Sequence, residues 1–230
     1  MPKALPKSGP FRRRTPASQP IRQVLNTCLL ALAIATTFAA VQTQPAYARV
    51  DSKIYSTPKP LSEFKLQQAS GAAFGREQLK GKWSLIVLGY THCPDVCPFT
   101  LQNLAAVEEE LSLRVSPARK PQVVFIGVDP DRDHKIIGEY VKYFSDDFVG
   151  ATGDWSEVSK AVETLGGFVR YEGKDKDPEG YKVFHSANVI IVDPQGQLVG
   201  SVNPPLQPAE AADFIATLIA KRAREAAAKN

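Results

Sequence analysis

Cysteine is scarce in this chain, with three in 230 residues, and histidine is equally rare. So few thiols exclude a disulfide-stapled scaffold, and a domain of about 180 residues needs no staples to build a core. Acidic residues are missing altogether from residues 1–48, which hold Lys3, Lys7, Arg12, Arg13, Arg14 and Arg22. Without those six, 22 basic residues face 24 acidic ones. The body is therefore close to neutral and lacks the positive footprint that nucleic acid requires. A glycine-rich phosphate loop, a G-x-S-x-G nucleophile turn and a basic stripe interleaved with aromatics are also absent. P-loop phosphoryl transfer, serine-hydrolase chemistry and single-strand binding lose support with them.

What the N-terminus does have is a pattern. Between Arg22 and Arg49 there is no charge, and residues 24–41 are apolar apart from Asn26, Thr27, Thr36 and Thr37. Ala46-Tyr47-Ala48 follows, a small-x-small site. Basic region, apolar run and small-residue site together describe an export signal. The run is also close to the roughly 20 residues that span a bilayer, so residues 1–48 read as a cleaved signal peptide or a retained membrane anchor. Either reading puts the body outside the cytoplasm, in the periplasm. Cys28 lies inside the apolar run and reads as a small apolar residue. That leaves Cys93 and Cys97 in a compartment where disulfides persist. A pair this close in sequence cannot staple a domain, so it points to chemistry.

Residues 49–64, with Pro58 and Pro60, read as a linker or edge segment, residues 65–222 as the domain and residues 223–230 as a charged, alanine-rich tail. Three runs, S-L-I-V-L-G-Y (84–90), Q-V-V-F-I-G-V (122–128) and N-V-I-I-V (188–192), are apolar without alternation, as central strands covered on both faces are. A fourth strand at 197–202 follows the turn Asp193-Pro194-Gln195-Gly196, which predicts a hairpin. Helical periodicity marks residues 99–113, 135–144, 154–165 and 208–220, the third opened by Asp154 with Glu157 three residues on. Strand–helix alternation predicts a parallel pair with crossovers, and the hairpin an antiparallel edge. The expected fold is an α/β, thioredoxin-like sandwich, a central mixed sheet flanked by helices.

The chemistry concentrates in Y-T-H-C-P-D-V-C-P, residues 90–98. Cys93 falls just past the carboxyl end of the first central strand, where open α/β sheets place their sites. Cys97 falls in or just before the first turn of a helix, whose free N–H groups favour thiolate over thiol. Pro98 suits a first helical turn. Three residues separate the cysteines, where thiol–disulfide catalysts of this fold usually have two. Positions i and i+4 share a helix face about 6 Å apart along the axis, within reach of a disulfide or of one shared metal ion. Two thiolates select Cu(I) or zinc, and a third ligand then comes from elsewhere. His92 leads into the cysteine turn, and His134 reads as a solvated loop or helix-start residue. His185, at the end of the polar loop 172–182, reads either as a half-buried loop histidine or as a ligand facing the cysteine turn. Asp95 reads as a tuning neighbour or a solvated turn residue, Asp129 and Asp133 as shapers of the loop after the second strand, and Trp83 and Trp155 as core or surface aromatics.

Residues 89–98 (G-Y-T-H-C-P-D-V-C-P) resemble the signature of the Sco/SenC family, copper-binding proteins that help assemble cytochrome c oxidase. Residues 127–133 (G-V-D-P-D-R-D) resemble its second block, and Val183-Phe184-His185-Ser186 with Asp193-Pro194-Gln195-Gly196 its third. The resemblance covers roughly residues 65–219. It implies a thioredoxin-like domain, usually membrane-tethered, with Cys93, Cys97 and His185 as copper ligands. Phe184 stands where the family commonly has an acidic residue.

Three functions follow as expectations. The first is a copper metallochaperone that binds Cu(I), or holds Cu(II), through those three residues. It would deliver copper to the binuclear site of a cytochrome c oxidase subunit or to another periplasmic copper protein. The second is a thiol–disulfide oxidoreductase in which Cys93 attacks and Cys97 resolves, passing through a disulfide. The third is a redox or copper sensor. Structural zinc fits poorly, because it wants four protein ligands. The charged loop before His185 is expected to be lightly anchored and to order when copper binds.

Overall fold

The structure, a computed structural model, describes residues 50–177 and 180–228. The segment read as signal or anchor lies outside the described residues. Among those described, no helix is long and apolar enough to cross a membrane.

In chain order the elements are β1 (Ser52–Pro60), β2 (Lys65–Gln68), β3 (Ala73–Gly75), α1 (Arg76–Leu79), β4 (Ser84–Gly89), α2 (Val96–Ser112), β5 (Gln122–Gly127), α3 (Pro130–Asp133), α4 (Ile137–Lys142), β6 (Val149–Thr152), α5 (Trp155–Thr164), β7 (Val169–Glu172), β8 (Lys182–His185), β9 (Val189–Val192), β10 (Gln197–Val202) and α6 (Pro208–Ala227). Eight strands form one mixed sheet in the order β1-β10-β9-β4-β5-β6-β2-β3, while β7 and β8 form a separate ribbon.

Strand β4 shows why its sequence is an unbroken apolar run. All six of its residues are buried. Leu85 and Val87 face α2 and α6 through Leu101, Leu104, Ile215 and Leu218. Ile86 and Leu88 face the other way, toward Val158 and Val162 of α5 and toward Leu61 and Phe64. Period-two alternation thus feeds two cores rather than one core and solvent. Each such side chain contributes about 1.5–3 kcal/mol on burial. β4 runs parallel to β5 with Leu85 opposite Val123, and antiparallel to β9 with Leu85 opposite Ile191.

The predicted hairpin is β9–β10. Its turn is held by the Asp193 carboxylate, which accepts the Gln195 and Gln197 N–H groups at 3.0 Å each. Gly196 supplies the positive φ of 70° that the turn needs.

Of the two readings of residues 49–64, linker or edge segment, the structure has the second: residues 52–60 pair with β10 as an edge strand, and Leu61 and Phe64 are buried. Other expectations change. β2, β3 and β6 were not foreseen; each has only three or four residues, too few to print a period. Asp154 caps α5 by position only. Its side chain makes no capping bond, and Glu157 instead accepts the Lys65 N–H at 2.8 Å, tying α5 to β2. α6 continues to Ala227, because alanine propensity and the Arg222–Glu225 pair carry it on with no glycine or proline to stop it. The polar loop 172–182 is bounded by strands: Glu172 ends β7 and Lys182 starts β8.

Candidate metal centre

Where β4 ends, the backbone is drawn tight. Gly89 lies under the Cys97 sulfur and the Phe125 ring. A Cβ there would come within 2.5 Å of Phe125 and 3.0 Å of Cys97 Sγ, so only glycine fits. Cys93 N–H donates to the Tyr90 carbonyl at 3.1 Å, closing the turn. The turn is fixed from below by Asp133, fully buried. Its carboxylate accepts the Thr91 N–H at 2.7 Å, the Thr91 hydroxyl at 2.8 Å and the Asp129 N–H at 2.9 Å. One side chain thus ties the exit of β4 to the exit of β5. Burial, reinforced by the neighbouring Asp129 carboxylate, outweighs those three bonds and raises the Asp133 carboxyl to about 6.

Helix α2 begins at Val96, so Cys97 stands in its first turn as expected. Asp95 occupies the N-cap position but makes no side-chain cap bond and is exposed. Its place is taken by sulfur: Cys97 N–H donates to Cys93 Sγ at 3.4 Å. Both cysteines are free thiols. The Cys97 side chain beside it, then the His185 imidazole and the N–H groups of Asp95 and Cys97, pull the Cys93 thiol down to about 4 against the cost of burial. Cys97, 2% exposed, is pushed the opposite way by its bond to Cys93 and by burial. Of the two sulfurs, Cys93 is thus the one disposed to carry the negative charge and Cys97 the one disposed to keep its proton.

His185 ends β8 opposite Val169. Its Nε2 lies 3.6 Å from Cys97 Sγ and its Nδ1 lies 2.9 Å from the Ser186 carbonyl. A carbonyl only accepts, so Nδ1 carries a proton, and Nε2 is the ring nitrogen that faces the sulfurs. The ring of Tyr90 meets the imidazole edge-on, with centroids 5.8 Å apart.

The structure therefore brings Cys93, Cys97 and His185 together from two elements 88 residues apart in sequence. His92 and His134 are exposed and stand away from the pair, His92 Nδ1 lying 3.1 Å from the Thr91 hydroxyl. Asp129 and Asp133 shape the loop after β5, as read. Among the described residues, no three His, Cys, Asp or Glu side chains are yet closed around a common point to hold an ion. The donor set, two sulfurs and one imidazole nitrogen whose ring is oriented by the Ser186 carbonyl, suits a soft monovalent cation once Cys97 gives up its proton.

The ribbon is better anchored than its charges suggest. Tyr171 OH donates to the Val128 carbonyl and Tyr181 OH to Asp129 Oδ1, both at 2.5 Å, and Lys174 pairs with Asp131 at 2.8 Å. Tyr181, Tyr90 and Arg132 went unassigned in the sequence. The available signal was Tyr181, a lone aromatic closing a charged loop. Phe184, at the position before His185, is 40% exposed and lies under the Arg170 guanidinium at 4.5 Å.

The sequence model of the SCO1/SenC family matches residues 54–220. The chain belongs to this family. Human mitochondrial SCO1 homolog is 36% identical over 163 residues, 69% of this chain and 53% of that protein. ScoI of Bradyrhizobium japonicum, solved with copper bound, is 33% identical at a TM-score of 0.59 and covers 67% of this chain and 96% of that one. Yeast Sco1, also solved with copper bound, is 30% identical at a TM-score of 0.63 and covers 69% and 87%. The family's thioredoxin-like fold is thus the fold of this chain.

Proposed function

We propose that this Sco-family protein is a copper carrier that binds Cu(I) through Cys93, Cys97 and His185. In this reading it hands the ion to the binuclear copper site of a cytochrome c oxidase subunit, or to another exported copper protein, in the periplasm. The observation that carries the reading is the 3.6 Å approach of His185 Nε2 to Cys97 Sγ, with Nδ1 already committed to Ser186. Cys93 supplies a ready thiolate, and Cys97 loses its proton as the ion arrives. Copper-bound relatives and the family resemblance support the choice of metal. Anaerobic Cu(I) titration of the reduced protein, wild type beside His185→Ala, tests it. One tight equivalent that weakens at least about tenfold without His185 is expected, the scale on which even outer-shell losses act. Equal binding in both would remove His185 from the ligand set.

A second reading has its own observation, the unequal pair of thiols. The Cys93 thiolate would attack a partner disulfide and expel one partner thiolate. Cys97, after losing its proton, would then attack Cys93 and release the second. The partner gains two electrons, the Cys93–Cys97 disulfide is left, and an external dithiol resets it. Metal-free disulfide reduction that survives His185→Ala would favour this reading.

A further inference from the structure

One side chain touches both the cysteine turn and the histidine ribbon. The Arg132 guanidinium carbon lies 3.8 Å from the Tyr181 ring centroid and 5.6 Å from that of Tyr90. Tyr90 opens the cysteine turn and packs edge-on against His185. Tyr181 leads into β8, is 5% exposed, and donates its hydroxyl to Asp129. Asp129, fully buried, also takes the Arg132 Nε. The Nδ1–H bond of His185 goes to the next residue of its own segment. It orients the ring there but does not tie the ribbon to the cysteines.

We propose that Arg132 is a positioning residue for the third ligand: by stacking on Tyr181 and Tyr90 while held by Asp129, it sets His185 against the cysteine pair. The proposal rests on the ligand reading above. Arginine suits the place because its planar cation can bond a carboxylate at its edge and leave both faces to aromatic rings. A lysine would keep the charge and lose the flat stack.

The test uses the reduced full chain with Arg132→Met and Arg132→Lys, each alone and combined with His185→Ala. Cu(I) is titrated against a competing colorimetric chelator, and thermal unfolding confirms that each variant is folded. Arg132→Met is expected to weaken binding ten- to hundredfold, as loss of an outer-shell partner does. It should add little in the His185→Ala background, because both changes remove the same interaction. Arg132→Lys should fall between Met and wild type. In the copper-free Arg132→Met protein, the amides of β8 should exchange faster while those of β4 do not. Wild-type affinity in the Met variant, or an equal loss with and without His185, overturns the positioning role. So does a Lys variant indistinguishable from wild type, which also decides the matter if Met fails to fold. If His185→Ala alone leaves binding unchanged, the ligand reading itself fails, and that outcome is separate from the others.

Discussion

The cysteines and the histidine stand on parts of the molecule built in different ways. Cys93 and Cys97 leave β4, whose residues are all buried between two cores. His185 ends a two-stranded ribbon in which Val183 alone, of eight residues, is buried. The cysteine turn is held by backbone geometry: a glycine with no room for a Cβ, a buried carboxylate with three donors, and a helix start capped by sulfur. The ribbon is held by side chains, chiefly Tyr171, Tyr181, Lys174 and Arg132. Segments with little buried apolar surface sit at the low end of a protein's local stability and move first. On the ligand reading proposed above, a site split this way would hold two donors on the more deeply buried part of the molecule and the third on the less buried one, an asymmetry that suits an ion both held and released.

The comparison breaks most visibly in Cys93 reactivity. Its largest support comes from Cys97, its neighbour on the turn, with His185 contributing less. A depressed thiol is ionised at every pH above its folded value, here about 4. Alkylation of Cys93 by iodoacetamide should therefore change less than about twofold between pH 8 and pH 6. An ordinary cysteine slows by about 80-fold over that range. His185→Ala should leave this profile nearly flat, whereas Cys97→Ala, which removes the donating side chain, should steepen it. A steep profile in His185→Ala would mean that the turn depends on the ribbon after all.

Next in size is the buried carboxylate. The folded Asp133 carboxyl is raised to about 6. A raised acid binds its proton more tightly when folded, so its contribution is fully present below the unfolded value near 4. That contribution is lost as pH rises through 6. Two units correspond to about 2–3 kcal/mol. Asp133→Asn should flatten the pH dependence of stability across that window, read from urea midpoints at pH 4 and pH 7. At low pH it should cost about 1–3 kcal/mol, because its amide cannot accept the Asp129 N–H. The same pH dependence in wild type and variant would refute the assignment.

The centre of the main sheet, β4, β5 and β9, was legible because those strands are covered on both faces and print continuous apolar runs such as residues 84–90; the short strands β2, β3 and β6 of the same sheet were not. The closing hairpin was legible from Asp193 and Gly196, whose turn chemistry is local. The cysteine turn was legible too, since two thiols, a proline and a helix start lie in one short stretch. The ribbon was not. Val169–Glu172 and Lys182–His185 are too short and too polar to print a strand pattern, and what fixes them lies in residues 128–132, some 50 positions earlier. Residue types alone left His185 open between ligand and loop residue, and the family resemblance named it. The Ser186 carbonyl, which orients the ring, is a backbone group that no side-chain pattern reports. Glu157 misled in the same way: beside Asp154 it looks like half of a capping box, but a partner 92 residues away takes it.

The smallest expected effect is the one that sharpens the contrast most. Lys174, half-buried, pairs with the exposed Asp131 at 2.8 Å and lies 4.4 Å from the Tyr171 centroid. An exposed pair is worth about 0–1 kcal/mol, and an exposed cation–π contact about as much. Lys174→Ala should therefore lower the global unfolding midpoint by only a few degrees. Its effect should be local: β8 amides exchange faster, β4 amides do not change, and the Cys93 alkylation profile stays flat. A drop in global stability beyond about 2 kcal/mol would show that the ribbon unfolds with the main sheet as one cooperative unit. In that case His185 would be as fixed as the two cysteines, and on the proposed ligand reading release of the ion would have to begin at the cysteines.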